Sequence, residues 1–224
     1  MSLKNVIAID GPAASGKSTV AQRVADRLGG YYISTGNMYR AITLFLMQNK
    51  LDLNSQSPPG EIGSLLKKLD LSFFKTADGQ LSMTMNGATA DSAIRSPEVA
   101  KYVSRIAAMG NVRAWLIDRQ RSLSKLGLVI MEGRDIGTVV FPDAKYKFFI
   151  TASPEVRAGR RLAQSGETPE GSTVASVAKE IAERDEMDSN RRIAPLKKAD
   201  DAIFIDSSEM TVEEVVNLIA SFIK

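Results

Sequence analysis

The sequence predicts an α/β fold in which a parallel five-stranded sheet is flanked by helices and carries a small antiparallel β insert and a short helical lid. Three observations lead there. Five short apolar runs bounded by turn residues, Val6 to Ile9, Tyr31 to Ile33, Leu128 to Met131, Lys147 to Ile150 and Ala202 to Ile205, alternate with stretches of helical periodicity. Unbroken apolar strands separated by helices pack as a parallel sheet covered on both faces. Residues 69–87 instead alternate apolar and polar side chains around an Asp-Gly turn, and residues 154–192 carry arginines on helical faces either side of a polar, glycine-bearing break.

The first run leads straight into Gly11-Pro12-Ala13-Ala14-Ser15-Gly16-Lys17-Ser18, which fits G-x-x-x-x-G-K-[ST], and then into a helix whose Val20, Val24 and Leu28 recur every fourth residue. Glycines let the backbone wrap closely enough to aim amide N–H groups at phosphate oxygens, and the helix N-terminus adds its positive end. Lys17 is expected to reach the β- and γ-phosphates and Ser18 to ligate Mg²⁺. Average residue frequencies put a chance match in a chain of this length at about one per cent, before the strand and helix flanks are required. The segment from Gly11 through Thr19 is therefore expected to hold a nucleoside triphosphate.

The later elements carry their own signals. Leu71 with Phe73, and Leu81 with Met83 and Met85, face each other across the Asp78-Gly79 turn, which places an antiparallel β insert at about 62–93. Ser96-Pro97 and Ser153-Pro154 read as N-caps followed by proline in the first turn, and Thr211 with Glu214 makes a capping box before the final helix. In the lid region Arg157, Arg160 and Arg161 share one helical face, the run GETPEGS interrupts the helix, and Arg184, Asp188 and Arg191 share a face of the next. The expected organisation is a core of residues 1–38, 95–153 and 172–224, an acceptor-binding region at 39–94 and a mobile lid at 154–171.

Composition narrows the chemistry. The 224 residues are 44% hydrophobic and 25% charged, with a net charge of +3, as in an ordinary soluble protein with one substantial core. An aromatic content of 6% gives no stacking surface for polymeric nucleic acid. No apolar run approaches a membrane span and the N-terminus lacks signal-peptide regions, so a cytoplasmic, monomeric protein is expected. There is no cysteine and no histidine, which removes thiolate metal sites and the usual general base.

Phosphate loops serve switches, motors and small-molecule kinases, so what receives the phosphoryl group is a separate question. Asn49-Lys50-Leu51-Asp52 fits the N-K-x-D of a GTPase and Asp26 to Gly29 fits D-x-x-G, but the first follows a helix-like stretch and the second ends the loop's own helix. Arg40 follows the second strand and Arg134 the third, and the lid supplies more arginines. So many cations suit two phosphorylated substrates facing each other. A monophosphate, with its second pKa near 6, is already an anionic nucleophile and needs no histidine.

GPAASGKST, STGNMYRA, IRSPEVAKYVSRIA with NVRAWLIDRQR, EGRDIGTVVFPDAKYKFFITAS and RDEMDSNRRIAPLKKADDAIFIDSS together resemble the bacterial-type cytidylate kinases over essentially the whole chain. The resemblance implies a P-loop nucleoside-monophosphate-kinase core and transfer from MgATP to CMP or dCMP, with UMP or AMP as the alternative acceptors. It implies that Arg40 and Arg134 hold the acceptor phosphate, with Arg191 reaching in. Ser104, Arg113 and Asp135 would read cytosine, Thr35 would contact the nucleotide, and Asp188 with Arg184 would sit on the sugar side. Arg157, Arg160 and Arg161 match lid arginines around the transferred group, without indicating which one reaches it.

Cytosine offers an amino donor beside N3 and O2 acceptors, which suits a carboxylate flanked by Arg and Ser. Uracil would set a carbonyl against Asp135, acceptor to acceptor, at a cost on the order of 1–3 kcal/mol. Two residues depart from the usual family pattern: Ser34 and Glu132 each stand where Asp is more usual, which bears on the contacts around the metal.

Overall fold

The computed structural model describes residues 3–53, 59–89, 92–164 and 168–223. In chain order its first half comprises β1 (Leu3–Asp10), α1 (Lys17–Leu28), β2 (Tyr31–Ser34), α2 (Thr35–Gln48), α3 (Pro59–Leu66), β3 (Leu71–Lys75), β4 (Leu81–Met85) and β5 (Ala88–Thr89). The second half comprises α4 (Pro97–Ala107), α5 (Gly110–Ser122), β6 (Val129–Gly133), β7 (Ala144–Thr151), α6 (Pro154–Leu162), α7 (Val174–Ser189), β8 (Ile203–Asp206) and α8 (Val212–Phe222). Most of the polar run at 54–60, two residues of the expected insert (90–91) and three of the expected lid (165–167) lie outside the described residues.

Five strands form one parallel sheet in the order β2-β6-β1-β7-β8. β1 is central, and its run Val6 to Ile9 is apolar without interruption because both its faces are covered. Ile7 and Ile9 pack with Val20, Val24, Phe148 and Val216 beneath α1 and α8, while Val6 and Ala8 face Val129, Met131 and Phe141 on the other side. Alternate side chains of one strand thus feed two layers of core.

The pairing register decides where the site falls. Asp10 lies opposite Gly133, and Ser34 opposite Glu132, so the carboxyl ends of β1, β2 and β6 are level. All the chemistry described below gathers at that edge, where a parallel sheet opens a crevice.

Between β2 and β6 the chain builds a second core of its own, in which Ile42, Phe45 and Leu46 of α2 meet Ile62, Met83, Ile106 and Leu116. The β part of the insert is narrower than the expected 62–93. Ile62, Leu65 and Leu66 have helical rather than alternating spacing and belong to α3, so the strands occupy 71–89. A third strand, β5, follows β4 through Asn86 and Gly87, both at positive φ (51° and 80°), as a two-residue hairpin turn requires. The insert also touches the main sheet's side of the molecule: Gln80 meets Gln22 and Asp26 of α1, and Lys75 lies over the Tyr31 ring.

The expected caps are present at Ser96, Ser153 and Thr211, the last reciprocated by Glu214. Asn49 is the end of α2, its side chain donating to the Phe45 carbonyl, which disposes of the N-K-x-D reading. Over 154–192 the two expected arginine-bearing helices are α6 and α7. α6 and α7 pack on each other and, through Ala158, Val177 and Ile181, on Ala13 of the glycine-bracketed loop. Arg191 lies beyond the end of α7 rather than on its face.

Candidate active site

Gly11 has no room for a side chain: a Cβ there would sit 2.0 Å from the Ile150 carbonyl oxygen, so β1 runs into the loop pressed against β7. Gly16, at φ 86°, precedes α1 and offers no side-chain cap. The first N–H groups of α1 therefore open toward the crevice, where an anion can accept from them. Lys17 is buried and folds back to donate to the Pro12 carbonyl at 2.8 Å. Burial first, then Arg134 nearby, push its ammonium down to about 7.

Ser18 and Thr19 are exposed at the start of α1. Ser18 donates to Glu132 Oε1 at 3.1 Å, and Ser34 donates to the same oxygen at 2.5 Å. The two residues that depart from the usual family pattern are thus bonded to each other, and the longer side chain of Glu132 brings one carboxylate to the hydroxyl expected to meet the metal. Among the described residues there is no group of three acidic or histidine side chains that would cage an ion alone. A hydroxyl beside one carboxylate suits Mg²⁺, which keeps several waters and takes other oxygens from a bound phosphate.

Around Lys17 opens a cleft of roughly 370 Å³ whose lining includes Arg40, Arg95, Arg134, Arg161 and Arg184. Burial, reinforced by neighbouring cations, lowers Arg40 and Arg161 to about 10 and Arg184 to about 9. Arg184 Nε is buried without a partner among the described residues. Cations crowded together in a dry cleft are costly unless an anion joins them. At its far end the cleft is lined by Ser207, Met210, Thr211 and Val212. Neither this segment nor Arg95 is singled out by sequence reasoning; the one available signal for Arg95 is its place just before the Ser96-Pro97 cap.

A smaller cavity beside it is lined by Thr35, Tyr39, Ser104, Arg134, Asp135 and Arg191, among others. Arg134 and Asp135 are adjacent in sequence but their side chains part company. Arg134 donates to Asp188 at 2.9 Å, and Arg191 donates to the other oxygen of the same carboxylate. Asp135 is buried against Arg113, which also donates to the Ala107 carbonyl at 3.2 Å. Burial pushes the Asp135 carboxyl up, and Arg113 opposes the shift. Ser104 Oγ is buried at the cavity wall without a partner among the described residues, while Thr35 donates to the Glu132 carbonyl at 2.9 Å.

The lid arginines divide. Arg157, expected to be catalytic, is held behind the loop, pairing with Asp185 and donating to the Ala13 carbonyl at 3.1 Å. Asp185 in turn accepts from the Ala13 N–H at 2.9 Å, so the pair holds both backbone groups of that residue. Arg160 donates to the Ser15 carbonyl at 3.0 Å and to the Ser207 carbonyl at 2.8 Å. Arg160 and Arg161 both line the cleft, Arg161 the deeper of the two and set among the other arginines. One face of a helix can serve a ligand and a loop at once, and spacing alone does not separate the two.

A family model described as "Cytidylate kinase" matches residues 7–224. The chain is 47% identical over 221 residues to a protein named "Cytidylate kinase" from Clostridium botulinum (strain Loch Maree / Type A3), covering 97% of each chain. It is 46% identical over 217 residues to one of the same name from Geobacillus sp. (strain WCH70), covering 97% of this chain and 95% of that one. Among solved structures, an uncharacterized protein from Eubacterium ventriosum ATCC 27560 aligns over 97% of each chain with a TM-score of 0.53 at 14% identity, a similarity of fold alone.

Proposed function

The chain belongs to the cytidylate kinase family, whose members are phosphotransferases acting on CMP and dCMP, and from that premise we propose how this chain's residues divide the work. ATP is the phosphoryl donor. Its phosphates lie along Gly11 to Thr19 under Lys17, and its base lies toward Ser207 to Val212. The acceptor phosphate lies between Arg40 and Arg134, with Arg191 alongside, its sugar toward Asp188 and Arg184, and its base toward Ser104, Arg113 and Asp135. Thr35 holds the wall between the two substrates.

Phosphoryl transfer needs alignment and charge compensation more than covalent help. The acceptor's phosphate oxygen attacks in line, already anionic, so no side chain takes a proton from it. Lys17, Arg134 and Arg161 oppose the charge that spreads over the transferring oxygens. Ser18 and the water-mediated reach of Glu132 would hold Mg²⁺, which when bound supplies further charge neutralisation between the β- and γ-phosphates. Arg157 and Arg160 act at one remove, holding the loop's carbonyls so that its N–H groups stay turned to the phosphates. Residues 39–94 and 154–171 are the parts that close over the remaining core.

The observation that carries the base assignment is the buried Arg113–Asp135 pair beside the unpartnered Ser104 Oγ. Together they present acceptor and donor groups to one edge of a pyrimidine, in the pattern cytosine completes and uracil does not. A CMP preference over UMP of roughly ten- to a hundredfold is expected. The test is a coupled assay with ATP and each of CMP, dCMP, UMP, AMP and GMP. Turnover on UMP matching that on CMP would overturn the base assignment, and hydrolysis indifferent to any acceptor would overturn the two-substrate site.

A further inference from the structure

Directly after Asp135 the chain makes a single wide helical turn, Ile136–Val140, closed by bonds from the Val140 and Phe141 N–H groups to the Asp135 and Ile136 carbonyls. The first N–H groups of such a turn have no partner within it. Asp135 stands at the capping position, where an aspartate ordinarily accepts from those N–H groups itself. Here it makes no such bond, because its carboxylate is engaged by Arg113. The orphan donors are met from the central strand instead. Asp10, the last residue of β1 and buried, accepts from the Ile136 N–H at 2.8 Å on one oxygen and from the Gly137 N–H at 2.7 Å on the other.

We propose that Asp10 is a positioning residue for acceptor recognition: by capping the 136–140 turn from β1, it frees the Asp135 carboxylate to face the acceptor base. The proposal rests on the reading of Asp135 as a base-contacting residue given above. Two carboxylates compete for one pair of N–H groups, and the remote one holds them. The remote one is also the less able to move, since the next residue, Gly11, is pressed against the Ile150 carbonyl. Through this one side chain, the strand that launches the phosphate loop also sets the direction of the base-reading group.

Asp10→Asn keeps the size of the side chain but turns an amide N–H₂ toward one of the two donors, so one N–H loses its acceptor and Asp135 is drawn back onto its own turn. The expected result is a KM for CMP raised about tenfold and a CMP-over-UMP preference reduced about tenfold, with the KM for ATP unchanged within about twofold. Hydrogen exchange of the 136–140 amides should quicken in the same variant. Asp135→Asn, measured in parallel, separates the two readings. If it leaves the CMP preference intact, Asp135 does not read the base and the premise fails. If it relaxes the preference while a folded Asp10→Asn retains it, or loses only kcat, the positioning role is overturned. Should Asp10→Asn fail to fold, Asp10→Ser withdraws the carboxylate from both N–H groups without adding bulk: a partial loss of CMP preference supports the proposal, and an undiminished preference overturns it.

Discussion

The two halves of the cleft are built on opposite principles. The proposed donor half is one contiguous stretch, Gly11 to Thr19, which presents backbone N–H groups and is steadied by Arg157, Asp185 and Arg160. The proposed acceptor half is drawn from α2, α4, α5, the end of β6 and α7, and several of its charged side chains are already paired with one another as Arg113–Asp135 and Arg134–Asp188–Arg191. Between them the cations around Lys17 are shifted by burial and mutual repulsion. A triphosphate is recognised by charge, which crowded cations supply; a base is recognised by its pattern of donors and acceptors, which needs side chains held in fixed orientations before it arrives.

The contrast breaks first at the donor half. Lys17→Ala should lower kcat by about a thousandfold or more while leaving the ratio of CMP to UMP turnover unchanged, because it removes charge compensation from the transferring group and touches no base contact. A changed ratio would mean that the halves are not independent. Arg134→Ala spans both, since Arg134 is proposed to meet the phosphates and it holds Asp188. It should cost about a hundredfold or more in kcat and also raise the acceptor KM, and near-full activity would refute its placement.

Smaller effects sharpen the same division. Asp135→Asn should bring the CMP and UMP efficiencies about tenfold closer with the KM for ATP intact. Arg157→Ala should raise the KM for ATP a few-fold, about 0.5–1.5 kcal/mol of positioning, against a larger loss of kcat for Arg161→Ala. The reverse order would place Arg157 at the reacting group.

The smallest effect is one of pH. Lys17 in the folded, nucleotide-free chain titrates near 7 against an ordinary 10.5. The unfolded chain therefore holds more protons between those values, and the stability of the free protein should gain from this group as pH rises through that window. A bound triphosphate favours the ammonium, so ATP should bind with proton uptake at pH 8 and more weakly as pH rises. Calorimetry in buffers of different ionisation enthalpy reads the uptake directly, and none at pH 8 would mean that Lys17 is already charged.

How much of this was legible in the sequence follows the same division between contiguous and assembled features. The loop, the five strands and the three helix caps are local or periodic, and each is written in a few neighbouring residues. The register of β1, β2 and β6 is not, and it is what sets Glu132 beside Ser18 and Ser34 and Asp10 beneath the 136–140 turn. Arg95 and the Ser207–Val212 wall escaped the sequence because nothing in their neighbours marks them as facing a cleft. Arg157, Arg160 and Arg161 are alike in type and spacing, and the packing of α6 alone decides that Arg157 and Arg160 hold the loop while Arg160 and Arg161 line the cleft.

By itself, then, the sequence determined that a phosphate loop joins a parallel sheet and that arginines gather near its strand ends, because backbone conformation and periodic burial act over a few residues. Which carboxylate each arginine meets, and which aspartate caps which turn, was decided only by the tertiary structure. Those partners are brought together across the sheet, where their hydrogen bonds depend on strand register and on competition between groups far apart in the chain.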